Sequence, residues 1–116
     1  MAALQNREEQ GEGLSGTWDL VLMPEGQRGV AGLLQTGALV SGTYELEGDW
    51  KGSLQGTLVN RKVFLVRIDS KLGKSMELEG YLSSDGQRIR GSWLNYELSG
   101  REGGTGQWTA QRRQAR

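Results

Sequence analysis

From Gly16 onward, large apolar residues fall at every second position, in short runs broken by turn-forming residues. Trp18, Leu20 and Leu22 share one parity. So do Val40, Gly42, Tyr44 and Leu46, then Gly52, Leu54, Gly56 and Leu58. The pattern returns in Met76, Leu78, Gly80 and Leu82, and again in Ile89, Gly91, Trp93 and Asn95. A period of two places each set on one face of an extended strand. Read between turn signals, the chain predicts eight strands, over residues 16–23, 29–36, 39–47, 51–59, 62–69, 76–83, 88–97 and 104–112. The fifth run is apolar on both faces. Its Phe64, Val66 and Ile68 are expected inside, and its Val63 and Leu65 outside.

A glycine two positions before a large apolar residue recurs through these runs, as in Gly16-Thr17-Trp18, Gly42-Thr43-Tyr44, Gly48-Asp49-Trp50, Gly91-Ser92-Trp93 and Gly106-Gln107-Trp108. The two share a face. The glycine lets a tightly curved wall bend, and the ring fills the space inside. Connections after the second, fourth and sixth runs are tight (Gly37-Ala38, Asn60-Arg61 and Ser84-Asp85-Gly86), whereas Pro24 to Arg28, Ser70 to Ser75 and Leu98 to Gly103 are longer. Alternate turns of an up-and-down sheet lie at the same end. The expected fold is therefore all-β: an eight-stranded antiparallel up-and-down β-barrel, closed at one end and open at a mouth.

Composition narrows the chemistry. The chain has 116 residues, enough for one core, and its 19 glycines and single proline suit short strands and turns rather than helices. Residues 1–14 read as a polar leader, 15–112 as the barrel domain and 113–116 as a basic tail. Basic and acidic residues balance at 14 each, so no global excess favours nucleic acid. With no cysteine and no histidine, disulfides, thiolate nucleophiles and imidazole bases are excluded, and no metal or cofactor is expected. No apolar leader segment or membrane-length run is visible, which gives the expectation of a cytoplasmic protein that does not enter the membrane.

Leu14-Ser15-Gly16-Thr17-Trp18 resembles the opening strand of the calycin group of barrels, which includes lipocalins, fatty-acid-binding proteins and avidins. The resemblance implies that Trp18 packs at the closed end under a basic side chain from the last strand, here Arg112. Within that group the chain is most similar to avidin and streptavidin. Ser41-Gly42-Thr43-Tyr44-Glu45 resembles the strand whose tyrosine reaches the biotin ureido oxygen. Ile89-Arg90-Gly91-Ser92-Trp93-Leu94 resembles the strand whose tryptophan walls the biotin pocket, and Gly106-Gln107-Trp108-Thr109 the region whose tryptophan closes a neighbouring subunit's pocket. The chain departs from the family at polar positions. Leu20 stands where the family has asparagine, Leu46 where it has serine, and the aspartate beyond the last tryptophan has no counterpart. Unpaired ligand polar atoms cost about 1–3 kcal/mol each, so biotin is not the expected ligand.

The candidate ligand-binding residues are Tyr44, Trp50, Trp93, Asn95 and Trp108, with Trp50 nearest the mouth. The same rings can equally serve as core, because a chain this poor in isoleucine, valine and phenylalanine needs their area. Asn95 and Gln35 can supply ligand contacts or satisfy backbone groups. An outward stripe of Leu94, Tyr96 and Leu98, with Val63 and Leu65, points to a homo-oligomer. Three functions remain open at this point: a non-catalytic binder of a small apolar or aromatic ligand, a filled structural or adaptor barrel acting through its outer face, and a cyclase-type enzyme that shapes a substrate in its cavity.

Overall fold

The computed structural model describes residues 13–71, 74–96 and 102–113. Eight strands run in chain order: β1 (Gly16–Met23), β2 (Gln27–Thr36), β3 (Leu39–Leu46), β4 (Trp50–Val59), β5 (Lys62–Asp69), β6 (Ser75–Leu82), β7 (Arg88–Tyr96) and β8 (Glu102–Arg112). Each pairs antiparallel with its sequence neighbours, and β8 returns to pair with β1, closing the wall. The fold is an all-β, eight-stranded antiparallel meander barrel.

Turn chemistry fixes the register. Asn60 and Arg61 both have positive φ, 50° and 67°. That pair of angles matches a two-residue hairpin to the right-handed twist of its strands. Val59 therefore pairs with Lys62 and Leu58 with Val63. Paired residues share a face, and Leu58 packs against the core, so Val63 must do so too. Val63 and Leu65 are buried, while Ile68 is 39% exposed and Phe64 and Val66 line an outer groove. The expected facing of β5 is thus reversed: Phe64, Val66 and Ile68 look outward, and Val63 and Leu65 belong to the core rather than to an outer contact stripe. Leu98 lies outside the described residues.

Glycines let the wall bend tightly. A Cβ on Gly91 would sit 1.7 Å from the Glu79 carbonyl oxygen of β6, and one on Gly56 1.7 Å from that of Phe64 on β5. Two indoles use such bare positions to reach across a strand. Trp108 is level with Gly91 on β7, and its Nε1–H donates beyond that strand to the Glu79 carbonyl on β6, at 3.0 Å. Trp93 lies against Gly106 on β8 and donates to the Met23 carbonyl on β1, at 2.8 Å.

The lower barrel is packed solid. Trp18, Leu33, Tyr44, Leu54, Leu65, Ile89 and Trp108 are among the residues around a residual void of about 20 Å³. That is room for about one water. Leu14, counted with the leader from sequence, is fully buried, and its N–H donates to Gln35 Oε1. At this closed end the Arg112 guanidinium stacks on Trp18 and donates to the carbonyls of Gly13, Ser15 and Gly86.

Candidate functional site

The opposite end carries the turns after β1 and β3 and the outer ends of β5 and β7. There the barrel opens into a cleft of about 590 Å³, within the range of small-molecule pockets. Its inner surface comes from the last inward positions of several strands: Leu22 of β1, Trp50 of β4, Arg67 and Asp69 of β5, Met76 of β6, and Trp93 and Asn95 of β7. Glu25 and Glu47 add carboxylates from the rim turns, and Lys74 adds an ammonium. Glu47 is oriented by its Oε1, which accepts the Arg28 N–H at 3.1 Å.

Arg67 separates the cleft from the filled interior, for it lines both. Its guanidinium carbon lies 4.7 Å from the centroid of the Tyr44 ring, and its Nη1 points at the Met76 thioether sulfur, 3.5 Å away. Tyr44 beneath it is 2% exposed, and its hydroxyl is buried with no hydrogen-bond partner among the described residues. Asp69, two positions along the same face, is also buried.

The five residues singled out from sequence divide into two groups. Trp50, Trp93 and Asn95 line the cleft. Tyr44 and Trp108 lie below it in the core, where Trp108 is held by its bond to Glu79. Gln35 is at the far end, where its side chain bonds Leu14 N and Gly37 O and its own N–H is held by Ser15 Oγ. Sequence reasoning missed Arg67, Asp69 and Met76 as cleft residues. The signal for the first two was the two-residue Asn60-Arg61 hairpin, which sets the facing of all of β5.

On the outer wall, Leu34, Leu39, Phe64, Val66 and Ile68 border a shallow groove of about 800 Å³ whose floor carries Ser41, Ser53, Gln55 and Thr57. No residue lining it is charged. Leu94 and Tyr96 are half-buried on the outer side of β7.

No group of three or more carboxylate, thiol or imidazole side chains among the described residues is placed to hold a metal ion. No helix among them is long and apolar enough to cross a membrane. The sequence matches no protein-family model and no curated protein, so the barrel's own geometry carries the functional reading.

Proposed function

We propose that this chain is a non-catalytic, avidin- or lipocalin-like barrel of the cytoplasm that binds a small apolar or aromatic molecule in its mouth. The observation that carries the reading is the open cleft of about 590 Å³, walled by the half-buried indoles of Trp50 and Trp93, above an interior with no comparable space. Indoles offer large flat area at low conformational cost, which suits a planar guest. The cleft lacks the asparagine and serine positions that the avidin resemblance requires for a ureido ring, since Leu20 and Leu46 stand there and line the packed core. Native mass spectrometry of protein purified from its own host tests the reading, with a co-purifying small molecule as the expected result. The Trp50→Ala variant should keep its fold and lose that adduct. Protein that carries no adduct, and whose tryptophan emission ignores a panel of aromatic probes, would count against it.

A second reading is favoured by the uncharged outer groove. Two copies of this chain can pair through the groove on the β2–β5 wall, because its lining carries no charge to repel the same lining on the other copy. The ridge of Leu34 and Leu39, 63% and 66% exposed, then seats in the small-residue trough of its partner. On this reading self-association uses Phe64, Val66 and Ile68, where the sequence pattern alone points to Leu94 and Tyr96. Sedimentation of Val66→Glu against Tyr96→Glu separates the two faces.

A further inference from the structure

Granted that the cleft takes a small ligand, we infer that the ligand carries a carboxylate or an equivalent anionic group, inserted inward and held by Arg67. Arg67 is half-buried on β5, two residues or roughly 7 Å inside the rim. A guanidinium has five N–H donors and holds its charge at any working pH. Here one donor is spent on a thioether, a weak acceptor, and the charge rests on the Tyr44 ring. Among the described residues the ion pair present is Arg113 with Asp19, at the other end of the barrel, and Arg67 belongs to none.

A partly desolvated cation with spare donors, facing a cavity, favours an anion that can accept two parallel N–H bonds. The apolar remainder of the ligand would then lie toward Trp50 and Trp93, and its outer end would meet the rim. Glu25 and Glu47 at the rim, together with the buried Asp69 two positions from Arg67, outnumber the single ammonium of Lys74 and oppose a second negative charge. The class is therefore a monoanionic, planar apolar acid: one acidic group on an aromatic or unsaturated body that fits about 590 Å³.

The test uses the full-length protein and two probes of the same shape, 2-naphthoate and 2-naphthamide, titrated by calorimetry and by tryptophan emission. Naphthoate should bind at least about tenfold more tightly than naphthamide, as expected for a charge-assisted pair. Added salt should weaken the first and spare the second. Arg67→Met should bring the two affinities within about twofold of each other, mainly by weakening naphthoate. Naphthamide binding as tightly as naphthoate to the wild type would overturn the assignment of charge and leave the cleft as a binding site. Failure of both probes to bind would remove the binding reading and this inference together. If Arg67→Met does not fold, the wild-type ratio and its salt dependence decide alone.

Discussion

The Arg112 guanidinium carbon sits 4.5 Å from the centroid of the Trp18 ring, joining the end of β8 to the start of β1. The same guanidinium donates to Ser15 O at 2.8 Å, to Gly86 O at 3.1 Å and to Gly13 O. Trp18 is fully buried, and its own N–H is taken by Leu14 O. One cation thus ties the entering chain, the β6–β7 turn and the barrel floor together. Burial pushes its pKa below the ordinary guanidinium value, yet it stays charged at any working pH.

Arg112→Ala removes the stacked charge and leaves three carbonyls to find other donors. A loss of about 2–4 kcal/mol is expected from the ring contact and the charged hydrogen bonds together. Arg112→Lys should recover less than half, because an ammonium cannot reproduce the planar fork. Urea unfolding followed by tryptophan emission measures both, and a loss below about 1 kcal/mol for alanine would contradict the role assigned here.

Gly91→Ala places a methyl group 1.7 Å from a backbone oxygen, which only movement of β6 or β7 relieves. The variant should lose about 3 kcal/mol or more, or fail to fold. Gly32→Ala is its control, since nothing lies within 4 Å of the added carbon there. That exchange should be neutral, or stabilising by up to about 1 kcal/mol through the unfolded chain. Equal melting temperatures for the two would refute the close-approach argument.

Val66→Glu puts a charge in the middle of the uncharged outer groove. If copies pair there, the variant should sediment as a monomer at concentrations where the wild type does not, with its circular dichroism unchanged. Tyr96→Glu should leave the assembly intact. The opposite result would return the interface to β7.

Asp85 in the β6–β7 turn receives the Ser83 hydroxyl at 2.6 Å and the Gln87 N–H at 3.1 Å, and Arg88 lies near it. These contacts, the hydroxyl first, hold its pKa below the ordinary carboxylate value. The unfolded chain therefore takes up the proton first as pH falls. The stabilisation is complete above the unfolded pKa and disappears as pH drops through the lower, folded one. Asp85→Asn should show a shallower fall in melting temperature on acidification below the unfolded carboxylate pKa. Parallel wild-type and variant curves over that range would show that the turn does not depend on this charge.

The eight strands were legible because the period of two and the turn residues agree along almost the whole chain. The closed end was legible too. Gly16-x-Trp18 and Arg112 were expected to meet there, and they do. The facing of β5 was not, and the reason is physical. Its outward set, Phe64, Val66 and Ile68, is more apolar than its inward set, which ends in Arg67 and Asp69 at the mouth. Counting hydrophobic residues assumes a polar exterior, and this wall is apolar outside. The hairpin at Asn60-Arg61 carried the right answer, because a two-residue turn forces Val63 to follow Leu58. That misreading also hid Arg67. The separation of Trp93 from Trp108 was beyond alternation alone, for both share the inward parity. Depth along the axis comes from the stagger of the strands, and only the register shows that Trp108 lies level with Gly91 while Trp93 lies level with Gly106.

The Trp93 indole bridges from β7 over Gly106 to Met23 on β1, so it spans the one seam where the first and last strands meet. That ring also forms part of the cleft wall. Were a molecule to wedge against that indole, its occupancy and seam breathing would be coupled equilibria, and amide hydrogen exchange along β1 and β8 should slow well away from the atoms it touches. The barrel would register a bound guest as a tightening of its own suture.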